Sequence, residues 1–238
     1  MASRRLKTPR EMIHGFIYLL THPLQLKHII IRETRYRFRY RSKQKWVEWQ
    51  LYDASMSTPQ HSTAVAHARP LNVERVQTIS DMVSRIGNGL SVLDVGCGDG
   101  AIGEPLREMG NMVISVELPK IVKLAQSRLV PLLVAGDAEH LAFASKSFDV
   151  VIASEVVEHL WDPISFFNEA YRVLRRNGYL VISTPEGLES LRYDSHKHYF
   201  TVEGLKRMLG AKFSLQEVKR LKPLGAPTPT LILLFRKL

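Results

Sequence analysis

Apolar residues recur at helical spacing at Val73, Val76, Ile79, Met82, Val83 and Ile86, which predicts an amphipathic helix over 73–86. Gly87-Asn88-Gly89 ends it, and the short apolar run that follows predicts a buried strand over 90–95 opening into Gly96-Cys97-Gly98-Asp99-Gly100. Further along, the pattern predicts a helix to about 109, a strand over 112–117, a helix over 119–128 and strands over 132–134 and 148–153. Asp162-Pro163 reads as an N-cap followed by a first-position proline, with its helix running to about 176. Asn177-Gly178 then turns into a strand over 179–183. Thr201 caps a helix to about 209, and strands over 213–219 and 230–235 close the chain. Strands alternating with helices of this length predict an α/β fold, a mostly parallel sheet with helices on both faces. The last two strands have no helical pattern between them, so they are expected to pair antiparallel at one edge.

Upstream of this body the pattern changes. Thr8-Pro9-Arg10-Glu11 starts a helix by its capping residues, and the apolar stretch after it ends before His22-Pro23, too short to cross a bilayer. It also lacks the small-residue cleavage site of a signal peptide. A second apolar segment leads into Arg35-Tyr36-Arg37-Phe38-Arg39-Tyr40-Arg41. The expected organisation is a basic, mainly helical arm over 1–60 and one globular domain over 61–238.

Charge sharpens that division. The 238-residue chain has 33 Lys+Arg, 23 Asp+Glu and a net charge of +10, of which residues 1–50 contribute +9. Arginine alternating with aromatics suits a solvated face packed on the body, an anionic membrane surface, or stacking on RNA, and residues 1–45 carry all three alternatives. A single Cys excludes an internal disulfide and a cysteine-rich zinc site, and makes a reducing cytoplasm the expected location.

The glycine turn is the first candidate site. In an open α/β sheet, ligands sit beyond the carboxyl ends of the strands, and glycines there let the backbone approach a ligand closely. The turn fits a dinucleotide fingerprint, but its charges argue otherwise. Asp94 ends the strand and Asp99 lies within the turn; two carboxylates repel a pyrophosphate and attract a cation. S-adenosylmethionine carries a sulfonium and an ammonium group and suits such a turn. Glu117, ending the second strand, is placed to accept hydrogen bonds from ribose hydroxyls, and Asp137-Ala138, after the third, to meet adenine.

These stretches resemble a known family. Val92-Leu93-Asp94-Val95-Gly96-Cys97-Gly98-Asp99-Gly100 is similar to the first motif of class I S-adenosylmethionine-dependent methyltransferases. Gly136-Asp137-Ala138-Glu139-His140-Leu141, Phe148-Asp149-Val150-Val151 and the run from Glu169 to Gly178 are similar to later ones. The resemblance implies a Rossmann-like seven-stranded sheet with an antiparallel C-terminal strand and S-adenosylmethionine as cofactor. It carries cofactor contacts onto Asp94, Gly96, Gly98, Glu117, Asp137 and Ala138, with Cys97, Leu118, Ser154 and Glu155 completing the expected lining.

The acceptor side is read from two loops. Ser154-Glu155-Val156-Val157-Glu158-His159 follows the fourth strand, and Asp194-Ser195-His196-Lys197-His198-Tyr199-Phe200 follows the fifth. His159, then His196, are the expected catalytic bases. Glu155, Glu158, His159 and one of His196 or His198 also suit a divalent metal; this Glu-x-x-Glu-His run resembles the metal site of small-RNA 2′-O-methyltransferases, and a similar run occurs in ubiquinone-biosynthesis O-methyltransferases. The leading expectation is methyl transfer to an oxygen, rather than carbon or nitrogen, of a small or lipid-like molecule. The alternatives are an RNA 2′-O-methyltransferase with a metal site and a non-catalytic cofactor-binding protein docking on a membrane or partner.

Overall fold

The computed structural model describes residues 70–119, 122, 130–188, 190, 195–222 and 228–238. The arm, most of the helix expected over 119–128, and Asp194 lie outside the described residues.

The body contains α1 (Pro70–Ile86), β1 (Ser91–Val95), α2 (Gly103–Glu108), β2 (Met112–Glu117), β3 (Leu133–Ala135), β4 (Phe148–Ser154), a 3-10 turn (Val157–His159), α3 (Pro163–Val173), β5 (Leu174–Pro185), α4 (Val202–Leu209), β6 (Phe213–Leu221) and β7 (Thr230–Lys237). One seven-stranded sheet has the order β3-β2-β1-β4-β5-β7-β6. Strands β1 to β5 are parallel to one another, and β7 runs antiparallel to both β5 and β6. The last two strands pair at one edge as expected, but the final strand lies inside, leaving β6 outermost. Burial agrees with that placement: all but one residue of β7 are buried, whereas β6 is buried only at its two ends.

Side-chain alternation along the strands divides the core in two. Leu93, Val95, Ile114, Val116, Val151 and Ala153 face Phe166, Ala170 and Val173 of α3 and Leu205 of α4. Val92, Val113, Val150, Ile152 and Val181 face Ile79, Met82 and Val83 of α1 and Leu106 of α2. By the same alternation Asp94, Ser115, Glu117 and Ser154 project on the α1/α2 side of the sheet. Asp94 stands in register with Ser115 of β2 and Ile152 of β4.

Local chemistry sets the helix boundaries. The Asp162 carboxylate accepts from the amides of Ile164 and Ser165, with Pro163 at the first position. Thr201 accepts from Gly204 at the start of α4. The helix expected to reach 176 ends instead at Val173. Arg175 is drawn onto Asp149, its Nη1 2.7 Å from each carboxylate oxygen. Lys237 Nζ donates to the carbonyls of Tyr171 and Leu174 at 2.6 and 2.8 Å, supplying donors to the open end of the helix. The chain then passes through Asn177, whose φ is 61°, before Tyr179 resumes pairing with Val150.

Candidate active site

The glycine turn folds against β2 through two amides, Gly96 and Cys97, that donate to the carbonyl of Val116 at 2.8 and 3.2 Å. Gly96 has φ 69°, and a Cβ there would stand 2.4 Å from Val156 Cγ2, so only glycine lets the turn press against the loop after β4. The turn does not run directly into a helix: α2 begins at Gly103. Its Gly98 amide already has a protein partner, Glu117 Oε2 at 2.8 Å, while Glu117 Oε1 accepts from Leu118 N at 2.6 Å. Glu117 thus ties the turn to the end of β2. Cys97 is buried and packs with Val130 and Leu133, and burial pushes its thiol well up.

Asp94 lies beneath the turn, 1% exposed, and its Oδ2 has no hydrogen-bond partner among the described residues. Burial first, then Glu117, raises its pKa from 3.8 to about 7; Arg107 opposes the rise and Asp99 adds to it. A buried anion-forming oxygen without a donor, crowded by further carboxylates, fits a cationic ligand and does not fit a pyrophosphate. Asp137 is also buried; its carboxylate accepts from Glu139 N at 2.9 Å and lies 3.1 Å from His140 Nδ1. Ala138 packs on the adjoining core.

Glu139, within the Gly136–Leu141 stretch, has a defined task. It is 4% exposed, and its Oε1 accepts from the amides of Trp161 and Asp162 at 2.8 and 3.2 Å. It fastens the loop after β3 to the loop that carries His159.

Past β4, Glu155 adopts φ 56°, an unusual conformation for a side-chain-bearing residue. Its amide donates to Ser183 O at 3.0 Å and its Oε1 accepts from Ser183 Oγ at 2.9 Å. Ser154 Oγ lies 2.9 Å from the same hydroxyl. Arg75 Nη1 of α1 approaches Glu155 Oε2 at 3.7 Å. Sequence reasoning missed Arg75, although it lies four residues before Ile79, on the face of α1 that enters the core; a cation there is the signal.

Glu158 is 1% exposed; Oε2 accepts from Thr184 Oγ1 at 3.0 Å, and Oε1 has no partner among the described residues. Burial and the neighbouring Glu155 raise its pKa well above the usual carboxylate range. His159 Nδ1 lies 2.9 Å from Ser195 O, which can only accept, so Nδ1 bears the proton and Nε2 keeps its lone pair. Burial lowers its pKa to about 4. The His196 ring meets it edge-on, with centroids 4.8 Å apart, and burial lowers the His196 pKa also. The two loops are sewn together by the amides of Lys197 and His198, both donating to Glu158 O.

Of the residues considered for a metal, Glu158, His159 and His196 bring one ligand atom each within 4.8 Å of one another. Glu155 turns to Ser183 and Arg75, and His198 stays outside the group. The three fit a divalent cation by donor type, by the unpartnered buried Glu158 oxygen, and by the backbone carbonyl that orients His159.

Residues 93–182 match a methyltransferase domain family. This segment is similar to a methyltransferase domain. It spans β1, the glycine turn, Glu117, Asp137 and the loop with Glu155, Glu158 and His159. Two solved structures share the domain's fold. One is the N-methyltransferase NodS from Bradyrhizobium japonicum in complex with S-adenosylhomocysteine: TM-score 0.67, 18% identity, 79% of this chain and 97% of that one. The other is the Burkholderia thailandensis 1,6-didemethyltoxoflavin-N1-methyltransferase with S-adenosylhomocysteine: TM-score 0.64, 20% identity, 82% and 89% coverage. The ubiquinone biosynthesis O-methyltransferase of Azorhizobium caulinodans is 41% identical over 102 residues, a match spanning 40% of this chain and 40% of that relative's length. The domain match and the fold bear out the resemblance to class I S-adenosylmethionine-dependent methyltransferases.

Proposed function

We propose that this protein transfers the methyl group of S-adenosylmethionine to an acidic oxygen, a phenol or enol, of a small or lipid-like molecule. S-adenosylmethionine supplies a methyl group on a positively charged sulfur. On the protein side, Asp94 and the glycine turn hold the methionine end, with Glu117 at the ribose and Asp137 and Ala138 at the adenine. Arg75 adds a partly buried cation suited to the donor's carboxylate.

The observation that carries the acceptor reading is the fixed tautomer of His159. Its Nε2 is an unprotonated acceptor throughout the neutral range, because burial holds the ring's pKa near 4. So weak a base removes a proton readily only from an acidic hydroxyl, which favours a phenol or enol over an aliphatic alcohol. The name of the Azorhizobium relative, an O-methyltransferase of ubiquinone biosynthesis, supports oxygen as the acceptor atom.

A second reading of the same loop has a specific observation behind it, the buried unpartnered oxygen of Glu158. In that reading Glu158, His159 and His196 hold a divalent metal, which would bind the acceptor oxygen and lower its pKa. The test is tritiated-methyl transfer to phenolic, lipid and RNA fractions, with and without chelator, alongside S-adenosylhomocysteine calorimetry. The expected result is label in phenolic or lipid-like molecules, lost in His159→Ala while S-adenosylhomocysteine affinity stays within about twofold. Label confined to RNA, or cofactor binding with no transfer to any fraction, would overturn the proposal; sensitivity to chelator would select the metal reading.

A further inference from the structure

The methyl-donor reading leaves one partly buried cation without a task. Arg107, on α2, is partly buried, and its Nη1 has no hydrogen-bond partner among the described residues. The Asp94 Oδ2 atom is in the same condition. The two meet over one residue: a Cβ on Gly103 would stand 2.8 Å from Arg107 Nη1 and 3.5 Å from Asp94 Oδ2. Gly103 lies at the start of α2 with no left-handed φ to explain a glycine there. What the glycine provides is room for the guanidinium to reach toward the carboxylate.

We propose that Arg107 is a positioning residue that holds Asp94 in its charged form for the cationic end of the donor, through a passage kept open by Gly103. The proposal rests on the methyl-donor reading of Asp94. A carboxylate in a nearly dry site, with other carboxylates close by, takes up a proton unless an opposite charge offsets the burial. The groups acting on Asp94 are Glu117 on β2 and Asp99 in the turn, which favour the proton, and Arg107 on α2, which opposes it. Its register neighbours, Ser115 on β2 and Ile152 on β4, carry no charge. The charged residue of α1 described near the site, Arg75, is directed to Glu155. The Cys97 thiol is held protonated by its own burial. Arg107 is also attracted by Glu104 and Glu108 on its own helix, but Asp94 acts on it more strongly. Among the described residues, Arg107 is therefore the cation that opposes protonation of Asp94.

The test compares wild type with Arg107→Met, Arg107→Lys and Gly103→Ala. S-adenosylhomocysteine affinity is measured by calorimetry from about pH 6 to about pH 8.5, and the Asp94 carboxyl carbon is followed by NMR in the ligand-free protein. If only ionised Asp94 binds, wild-type affinity rises about tenfold between about pH 6 and about pH 8. Arg107→Met should move that rise upward, so that an upward shift of about one pH unit costs about fivefold at neutral pH and progressively less at higher pH. Gly103→Ala, which crowds the guanidinium aside, should act in the same direction, and Arg107→Lys should restore most of the wild-type profile. A uniform loss of affinity at every pH, or an Asp94 titration unmoved in Arg107→Met, would overturn the proposal. If wild type binds no S-adenosylhomocysteine at any pH, the methyl-donor reading fails instead, and the NMR titration still decides whether Arg107 governs Asp94.

Discussion

Gly96→Ala tests the contact between the glycine turn and the loop after β4. Gly96 has φ 69°, and an added Cβ would lie 2.4 Å from Val156 Cγ2. Ordinary carbon contacts are about 3.5–4.0 Å, so one of the two segments must retreat by about 1 Å or more. Retreat is resisted on both sides. The turn is anchored through Gly96 N and Cys97 N to Val116 O, and Val156 is held between the left-handed Glu155 and the fully buried Val157. The left-handed conformation costs alanine about 1–2 kcal/mol and the overpacking about 1–3 kcal/mol, about 2–5 kcal/mol in all. Val156→Ala removes the clashing methyl and by itself should cost about 1 kcal/mol, since Val156 is only partly buried. In the double variant the overpacking disappears and the conformational cost remains, so the cycle should show a favourable coupling of about 1–3 kcal/mol. Urea unfolding of the four proteins measures it. Additivity to within about 0.5 kcal/mol would refute the reasoning, because the penalty at Gly96 would then owe nothing to the loop.

Two further outcomes follow from buried carboxylates. Asp94 is raised from 3.8 to about 7 in the folded, ligand-free protein, so the folded state binds a proton more tightly than the unfolded chain, and stability falls as pH rises through that window. At most about 4 kcal/mol is lost between about pH 4 and about pH 8; the gap between wild type and Asp94→Asn, taken from urea unfolding at several pH values, should change in that sense, and a pH-independent gap would contradict it. Using the difference cancels the opposing contribution of His159, whose lowered pKa removes stability as pH falls below about 6.5. Glu139→Ala leaves the Trp161 and Asp162 amides without their acceptor and should cost about 1–3 kcal/mol. Hydrogen exchange should quicken at those two amides, and Glu139→Gln, which keeps an acceptor oxygen, should recover most of the loss; a Gln variant as damaged as Ala would mean the negative charge matters more than the acceptor.

Local periodicity determined the elements. The spacing of Ile79, Met82, Val83 and Ile86 placed α1, the short apolar run before Gly96 placed β1, and 112–117 matched β2 to the residue, because elements facing a core show it in their own apolar pattern. The proposed donor side was legible for the same reason: Asp94, Gly96, Glu117 and Asp137 lie at or just beyond strand ends that the pattern already marks. What the tertiary structure decided are meetings between residues far apart in sequence. Among them are the place of β7 between β5 and β6, and the end of α3 at Val173, where Asp149 draws in Arg175 and Lys237 reaches the last carbonyls. They also include the choice of His196 over His198 beside Glu158 and His159, and the approach of Arg107 to Asp94 past Gly103. A residue's own neighbours in sequence carry no record of such encounters, since long-range packing sets them and the chain between can take many courses.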